Sequence, residues 1–87
     1  MNELDKEIFV KELHNLLKML KFSNEVEISL EYLQNKYKIN SDLSELVLLN
    51  LIETLRNSEK IEIIKKYFNL DLKVIDLKDK IVIKKHE

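Results

Sequence analysis

The architecture of this chain follows from residues 28–55, ISLEYLQNKYKINSDLSELVLLNLIETL. Ser29 predicts the start of a helix over about 30–38, because a serine side chain at this position accepts a hydrogen bond from the first turn. A polar turn follows, and Ser41 within it predicts the cap of a further helix over about 42–57. The segment therefore predicts two helices joined by a tight turn.

The second of these helices has two different faces. At 100° per residue, one half is apolar and is expected to face a core; it carries Leu43, Val47, Leu48, Leu51, Ile52 and Leu55. The opposite half carries Asp42, Glu45, Leu46, Leu49, Asn50, Glu53, Arg56 and Asn57. Its three acids against one base would be repelled by DNA phosphates.

Two exposed leucines among charges suit a protein contact better than a DNA groove. We therefore predict a protein-binding surface made of Glu45, Leu46, Leu49, Glu53 and Arg56. The alternative is that both leucines are buried beneath other elements, since a helix that is apolar nearly all round is usually buried.

An amphipathic helix is predicted over residues 3–21, before this segment. Its main apolar stripe is formed by Phe9, Val10, Leu13, Leu16, Leu17 and Leu20. Leu4, Ile8 and Met19 form a second apolar flank. Because a chain of 87 residues has a small core, this extra flank predicts self-association, most simply as a homodimer. Residues 25–28 alternate polar and apolar side chains and predict a short strand.

The last third of the chain predicts a β-hairpin. Residues 70–74 and 80–84 are the two strands, because they alternate or are β-branched, and residues 76–79 supply a polar turn. Residues 59–68 fit both the two-residue period of a strand and the 3.6-residue period of a helix. The alternation of Ile61 and Ile63 favours a strand, whereas Ile61, Ile64 and Phe68 also fit a helix; we prefer the strand.

Together these elements predict one α+β domain over residues 1–87, a three-helix bundle with a short strand and a C-terminal β-hairpin. The alternative is a mostly α fold with a fourth helix at about 59–68. Over about residues 8–85 the order resembles the winged-helix arrangement, with residues 28–55 as its helix-turn-helix and Lys38-Ile39-Asn40 in place of the usual turn glycine. The resemblance implies either DNA binding through the third helix or protein binding.

Within that superfamily, LLNLIETLRNSEKIEI at residues 48–63 is faintly similar to the C-terminal domain of kleisins, the bacterial and archaeal condensin subunits. That domain typically ends with Gln-Glu followed by a Phe-Gly-Asp-Ile stretch. Neither is intact in this chain, so the kleisin identity is not carried further.

The net charge is −1, but the charges are unevenly distributed. Residues 23–59 carry three basic and seven acidic side chains, and residues 60–87 carry eight lysines against five acids. Such asymmetry steers charged partners. The best candidates for phosphate contacts are Lys65, Lys66, Lys84 and Lys85. They define the alternative function, a DNA-binding transcriptional regulator that contacts DNA through a basic C-terminal wing.

Composition argues against catalysis and cofactors. A chain without glycine cannot form a P-loop or Rossmann turn, and one without cysteine has neither disulfides nor thiolate zinc sites. His14 and His86 lack metal-ligand spacing, and Tyr32, Tyr37, Tyr67 and Phe68 are expected at the edges of the core. We expect no catalytic residue, cofactor, metal or membrane partner. The prediction is a cytoplasmic, non-enzymatic protein-interaction module: a small homodimeric adaptor, viral accessory protein or complex subunit.

Overall fold

A computed structural model of the chain describes residues 3–86. These residues form an α+β fold in which four helices pack with a three-stranded antiparallel sheet. In chain order the elements are α1 (Glu3–Met19), β1 (Glu25–Ser29), α2 (Leu30–Tyr37), α3 (Ser41–Arg56), α4 (Ser58–Phe68), β2 (Leu72–Asp76) and β3 (Lys80–Lys85). The α+β class predicted from the sequence is confirmed.

Side-chain caps define where α2 and α3 begin. Ser29 caps α2 as predicted, because its hydroxyl accepts a hydrogen bond of 3.0 Å from the Tyr32 amide. The cap of α3 is Asn40, whose side chain accepts a hydrogen bond of 2.9 Å from the Leu43 amide. The prediction of Ser41 as this cap is therefore wrong by one residue.

Residues 58–68 form a helix, α4, so the preferred prediction of a strand here is wrong and the alternative of a fourth helix is confirmed. The Asn57 side chain caps the helix by accepting the Lys60 amide at 3.1 Å. Ile64 is buried, whereas Ile63 is 53 % exposed. The apparent alternation of isoleucines was misleading because only the three- and four-residue spacing matches what is buried.

The sheet has the strand order β1-β3-β2, with both pairings antiparallel. Ile83 in the central strand is fully buried and pairs with Val26 of β1 and Val74 of β2. β2 and β3 form the predicted C-terminal hairpin. Its turn is held by Asp76, whose carboxylate accepts a hydrogen bond of 3.1 Å from the Lys78 amide.

Helix α3 lies at the centre of the fold and contacts α1, α2, α4, β2 and β3. Val47 and Leu51 on its inner face are fully buried. Leu48 and Leu55 of α3 are buried as well. The rest of the core comes from the other elements and the residues next to them: Ile8, Leu16, Leu17, Leu20, Val26, Ile28, Leu33, Ile64, Leu70, Leu72, Ile81 and Ile83. Only the outward side of α3 is left without cover. Within residues 3–86, no helix has the length and apolar character needed to cross a bilayer.

Candidate functional site

The outward side of α3 carries the leucines singled out in the sequence. Leu46 is 36 % and Leu49 is 50 % exposed, although their neighbours Val47 and Leu48 are buried. Neither the sheet nor the added helix α4 buries either leucine. The alternative in which other elements bury both leucines is therefore wrong.

Exposed charges surround these leucines. Glu45, Glu53 and Arg56 are all exposed on the same helix. We call the five residues Glu45, Leu46, Leu49, Glu53 and Arg56 the α3 surface. It combines apolar side chains in the middle with two carboxylates and one guanidinium at the margin, which is the composition of a protein contact rather than of a phosphate-binding face.

A shallow hollow adjoins the α3 surface. It has a volume of about 230 Å³ and lies between α3, the start of α2 and the β2–β3 turn. Its lining is made by Leu30, Glu45, Leu48, Leu49, Ile52, Asp76 and Lys78. The hairpin turn thus adds a further acid and one lysine to the margin.

Asn50 and Arg56 are the α3 residues of the types that most often read bases, and Asn50 lies nearer the middle of the outer face. Its amide nitrogen donates a hydrogen bond of 2.8 Å to the Leu46 carbonyl oxygen on the same helix. The side chain is therefore folded back along the helix and is engaged there, which weakens the case for base recognition by α3.

The four lysines of the alternative function lie on two different elements. Lys65 and Lys66 are exposed in the last turn of α4 and not in a strand, as the prediction for residues 59–68 had them. Lys84 on β3 forms an ion pair of 3.4 Å with Glu25, and Lys85 is half-buried opposite Leu72.

These lysines are also remote from the tip of the hairpin. Lys84 and Lys85 lie at the end of β3, beside the first residues of β2. This strand begins four residues after α4 ends. Five strand residues separate this end from the turn, a distance of about 15 Å. The turn itself carries Asp76, Lys78 and Asp79. The expected basic wing is therefore acidic at its tip.

A polar cluster between α1 and α2 was not predicted from the sequence. Glu12 is only 2 % exposed, and its Oε1 atom accepts hydrogen bonds from the Tyr37 hydroxyl at 2.6 Å, the Lys36 ammonium at 3.3 Å and the Tyr32 hydroxyl at 3.4 Å. Lys36 also donates to the Tyr32 hydroxyl at 2.8 Å. A signal was present, since Glu12 lies four residues from both Ile8 and Leu16 on the buried stripe of α1.

This Glu12 cluster changes the proton affinities of its members. Burial and the hydrogen bond to Glu12 raise the pKa of Tyr37 to about 12. The hydrogen bond to Tyr32 and the negative charge of Glu12 raise the pKa of Lys36. The Lys36 ammonium also lies 5.3 Å from the centroids of both tyrosine rings. The raised pKa values keep Lys36 charged and Tyr37 neutral through neutral pH.

A second apolar surface lies between α1 and α4. A groove of about 290 Å³ is lined by Val10, Leu13, His14, Leu17, Thr54, Lys60, Ile63, Ile64 and Phe68. We call it the α1–α4 groove. Val10 and Ile63 on its margin are 54 % and 53 % exposed, and Tyr67 beside it is also exposed, so the expectation of Tyr67 at the edge of the core is wrong. The sequence reasoning missed this groove because it assigned residues 59–68 to a strand.

The two histidines lie on different elements and are both exposed. His14 is on α1, and His86 follows β3. Within the described part of the chain, no three His, Asp or Glu side chains come together in a way that could hold a metal ion.

No protein-family model, curated protein or solved structure matches this chain.

Proposed function

We propose that this chain is a non-enzymatic protein-interaction module, a small homodimeric adaptor, viral accessory protein or complex subunit. The observation that carries the proposal is the α3 surface, where Leu46 and Leu49 lie exposed between carboxylates on the central helix of the fold. Solvent-exposed leucines on a helix that also supplies the middle of the core are a costly arrangement unless a partner covers them.

The topology supports a winged-helix-like arrangement. α1, β1, α2 and α3 are followed by the β2–β3 hairpin, and β3 lies between β1 and β2. α4 is an addition between α3 and the hairpin. In this arrangement the α3 surface and the hairpin turn form one continuous face, because the hollow beside Leu49 is lined by both.

The chemistry of the α3 surface defines what it can bind. Covering the leucines removes apolar area from water, which stabilises a complex by about 25 cal/mol for each Å². The surrounding acids, Glu45, Glu53 and Asp76, favour lysine or arginine at the margin of the partner and disfavour other acids. The partner is therefore a protein with an apolar projection flanked by basic residues.

The other features of the molecule support a binding role over catalysis. The carboxylate of Glu12 is engaged by three donors of its own chain, and the hollows at the surface are shallow. We also propose that the chain acts in the cytoplasm. It has no cysteine, so its stability does not depend on disulfides.

The second candidate is a DNA-binding transcriptional regulator. It is favoured by Lys65 and Lys66, which are both exposed at the end of α4 and have no ion-pair partner within residues 3–86. It ranks below the protein-interaction module because α3 and the hairpin turn, the two elements that would approach DNA, present mainly carboxylates.

The proposal is tested with affinity-tagged chains used to capture proteins from native cell extract. The test variant carries Leu46→Lys and Leu49→Lys. The matched control carries Leu4→Lys and Met19→Lys, which replace two exposed apolar residues on α1. We expect at least one protein that the wild type and the control both capture and the test variant does not. When that protein is purified and titrated, it should bind the wild type and the control with similar affinity and the test variant more weakly.

Circular dichroism of all three proteins establishes that each is folded. A folded test variant that retains every partner of the wild type would overturn the α3 surface as the binding site. Loss of the same partner from the control would show a non-specific effect of added charge and would also contradict the proposal.

A further inference from the structure

We propose that the α1–α4 face binds a second copy of this chain, with the two α1 helices antiparallel about a twofold axis. The inference rests on the proposed function in one respect, the homodimeric state. It assigns that state to a surface separate from the α3 surface, so that the dimer leaves both α3 surfaces free for partners.

The shape of this face matches itself. Val10 projects near the midpoint of α1 and is 54 % exposed, and the α1–α4 groove opens directly beside it. In a twofold arrangement, Val10 of each copy enters the groove of the other, where Ile63 and Phe68 form the far wall. A protruding side chain and a hollow that receives it thus lie next to each other on one surface, as an isologous interface requires.

The charges along α1 are also self-complementary. One line of exposed residues on α1 follows a spacing of four, three and four: Glu3, Glu7, Val10 and His14. We call this line the seam. The next position along it, Leu17, is buried, and Lys21 follows two residues after the helix ends. The seam begins with two acids, and Lys21 and the exposed Lys18 lie beyond its other end.

The direction of the pairing follows from this order. When two seams lie antiparallel, Glu3 of one copy faces Lys21 of the other, and Glu7 faces the end that carries Lys18. A parallel pairing would place acids against acids and lysines against lysines. Opposite charges across an interface favour one orientation over the other, so the antiparallel dimer is the one that forms.

The dimensions suit a dimer of this kind. α1 has 17 residues and is about 25 Å long. Since α4 lines the other side of the groove in each copy, the two chains bring four helices to the interface, and helices commonly bury apolar residues in such four-helix arrangements. Burial of Val10 and Ile63 at this interface also supplements the small core of an 87-residue chain.

The first test compares Val10→Glu with Met19→Glu in the 87-residue chain. Met19 is the matched control because it is similarly exposed, at 48 %, but lies nine residues along and therefore on the other side of α1. Sedimentation at tens of micromolar should show a dimer for the wild type and for Met19→Glu. Val10→Glu should weaken the dimer by roughly tenfold or more while its circular dichroism stays unchanged.

The second test uses charge reversal. One variant carries Glu3→Lys and Glu7→Lys, and the other carries Lys18→Glu and Lys21→Glu. Each variant alone has one sign of charge along the seam and should dimerise more weakly than the wild type. A mixture of the two should form heterodimers, and added salt should weaken these more than it weakens the Val10 contact.

Three results would overturn the inference: a monomeric wild type at this concentration, equal effects of Val10→Glu and Met19→Glu, or a mixture that associates no better than its components. The two proposals fail separately. Loss of the dimer through Leu46→Lys and Leu49→Lys would place self-association on the α3 surface and contradict this inference. Retention of the captured partner by Val10→Glu would support the separate roles of the two surfaces.

Discussion

The Tyr37 hydroxyl donates a hydrogen bond of 2.6 Å to the buried Glu12 carboxylate, across 25 positions in the sequence. This bond joins α1 to α2 at a point where the apolar stripe of α1 is interrupted by a charge. Because Lys36 and Tyr32 bind the same carboxylate oxygen, the buried charge is both neutralised and hydrogen-bonded. The cluster therefore specifies how the first two helices are placed relative to each other.

Removal of this carboxylate should destabilise the fold. Glu12→Ala leaves the Tyr37 hydroxyl without its acceptor and creates a gap beneath α2, so we expect the free energy of unfolding to fall by about 2 kcal/mol. Urea denaturation at neutral pH measures it. Glu7→Ala is the control, because Glu7 forms an exposed ion pair of 3.5 Å with Lys11 and its loss should change stability by less than about 0.5 kcal/mol. Equal losses for the two variants would contradict the structural role of Glu12.

Stability should fall in alkali between pH 10 and pH 12. In the unfolded chain Tyr37 has its ordinary pKa of 10.0, whereas in the folded chain its pKa is about 12. The unfolded state therefore loses this proton first, and ionisation favours unfolding across that window; the raised pKa of Lys36 acts in the same direction. Tyr37→Phe should show a smaller fall in melting temperature between pH 9 and pH 11.5 than the wild type, whereas Tyr67→Phe should match the wild type. If the melting temperature of Tyr37→Phe falls as much as that of the wild type over this range, the prediction is wrong.

Lys38→Gly should leave the fold intact and stabilise it slightly. Lys38 ends α2 with φ at 54°, and its amide donates to the Gln34 carbonyl. A residue with a side chain in this left-handed conformation destabilises the folded state by about 1 kcal/mol relative to glycine. Glycine has more conformational freedom in the unfolded chain, and this offsets part of the gain. We expect a net gain of about 0.5 kcal/mol in chemical denaturation. Lys65→Gly, within α4, should instead lose about 1 kcal/mol, and a loss at both positions would contradict the argument.

The two sides of α3 should respond differently to lysine. Leu49→Lys places the new charge in water, so the free energy of unfolding should change by about 0.5 kcal/mol or less. Leu51→Lys, two residues along, places the charge at a fully buried position and should cost several kcal/mol, enough to unfold a small domain. Thermal melting followed by circular dichroism separates the outcomes. An unfolded Leu49→Lys chain would show that Leu49 belongs to the core.

Duplex DNA should not bind tightly or with sequence specificity near physiological salt. The outer half of α3 carries three acids and one base, and the hairpin turn carries Asp76 and Asp79. Fluorescence anisotropy with random and genomic duplexes should show only weak, strongly salt-dependent binding, reduced further by Lys65→Gln with Lys66→Gln. Nanomolar specific binding that is lost on changing Glu45 or Asn50 would promote the regulator function over the interaction module.

Local patterns in the sequence were sufficient for most elements. The apolar spacing of residues 3–21 and 43–55, the cap at Ser29 and the polar turn at 76–79 each depend on neighbours within one or two turns of chain. α1, α2, α3 and the hairpin were therefore predicted to within about two residues. The α+β class follows from these elements alone.

Only the tertiary structure decided three further points: the helix at 58–68, the exposure of Leu46 and Leu49, and the burial of Glu12. The isoleucines near Ile63 fit both the helical and the strand period, and packing against α3 selected the helical one. For the leucines and Glu12, a helix sequence shows which residues share a face. Whether another element covers that helix face depends on segments far away in the sequence, because a side chain becomes buried through contacts between segments and not through contacts within one segment.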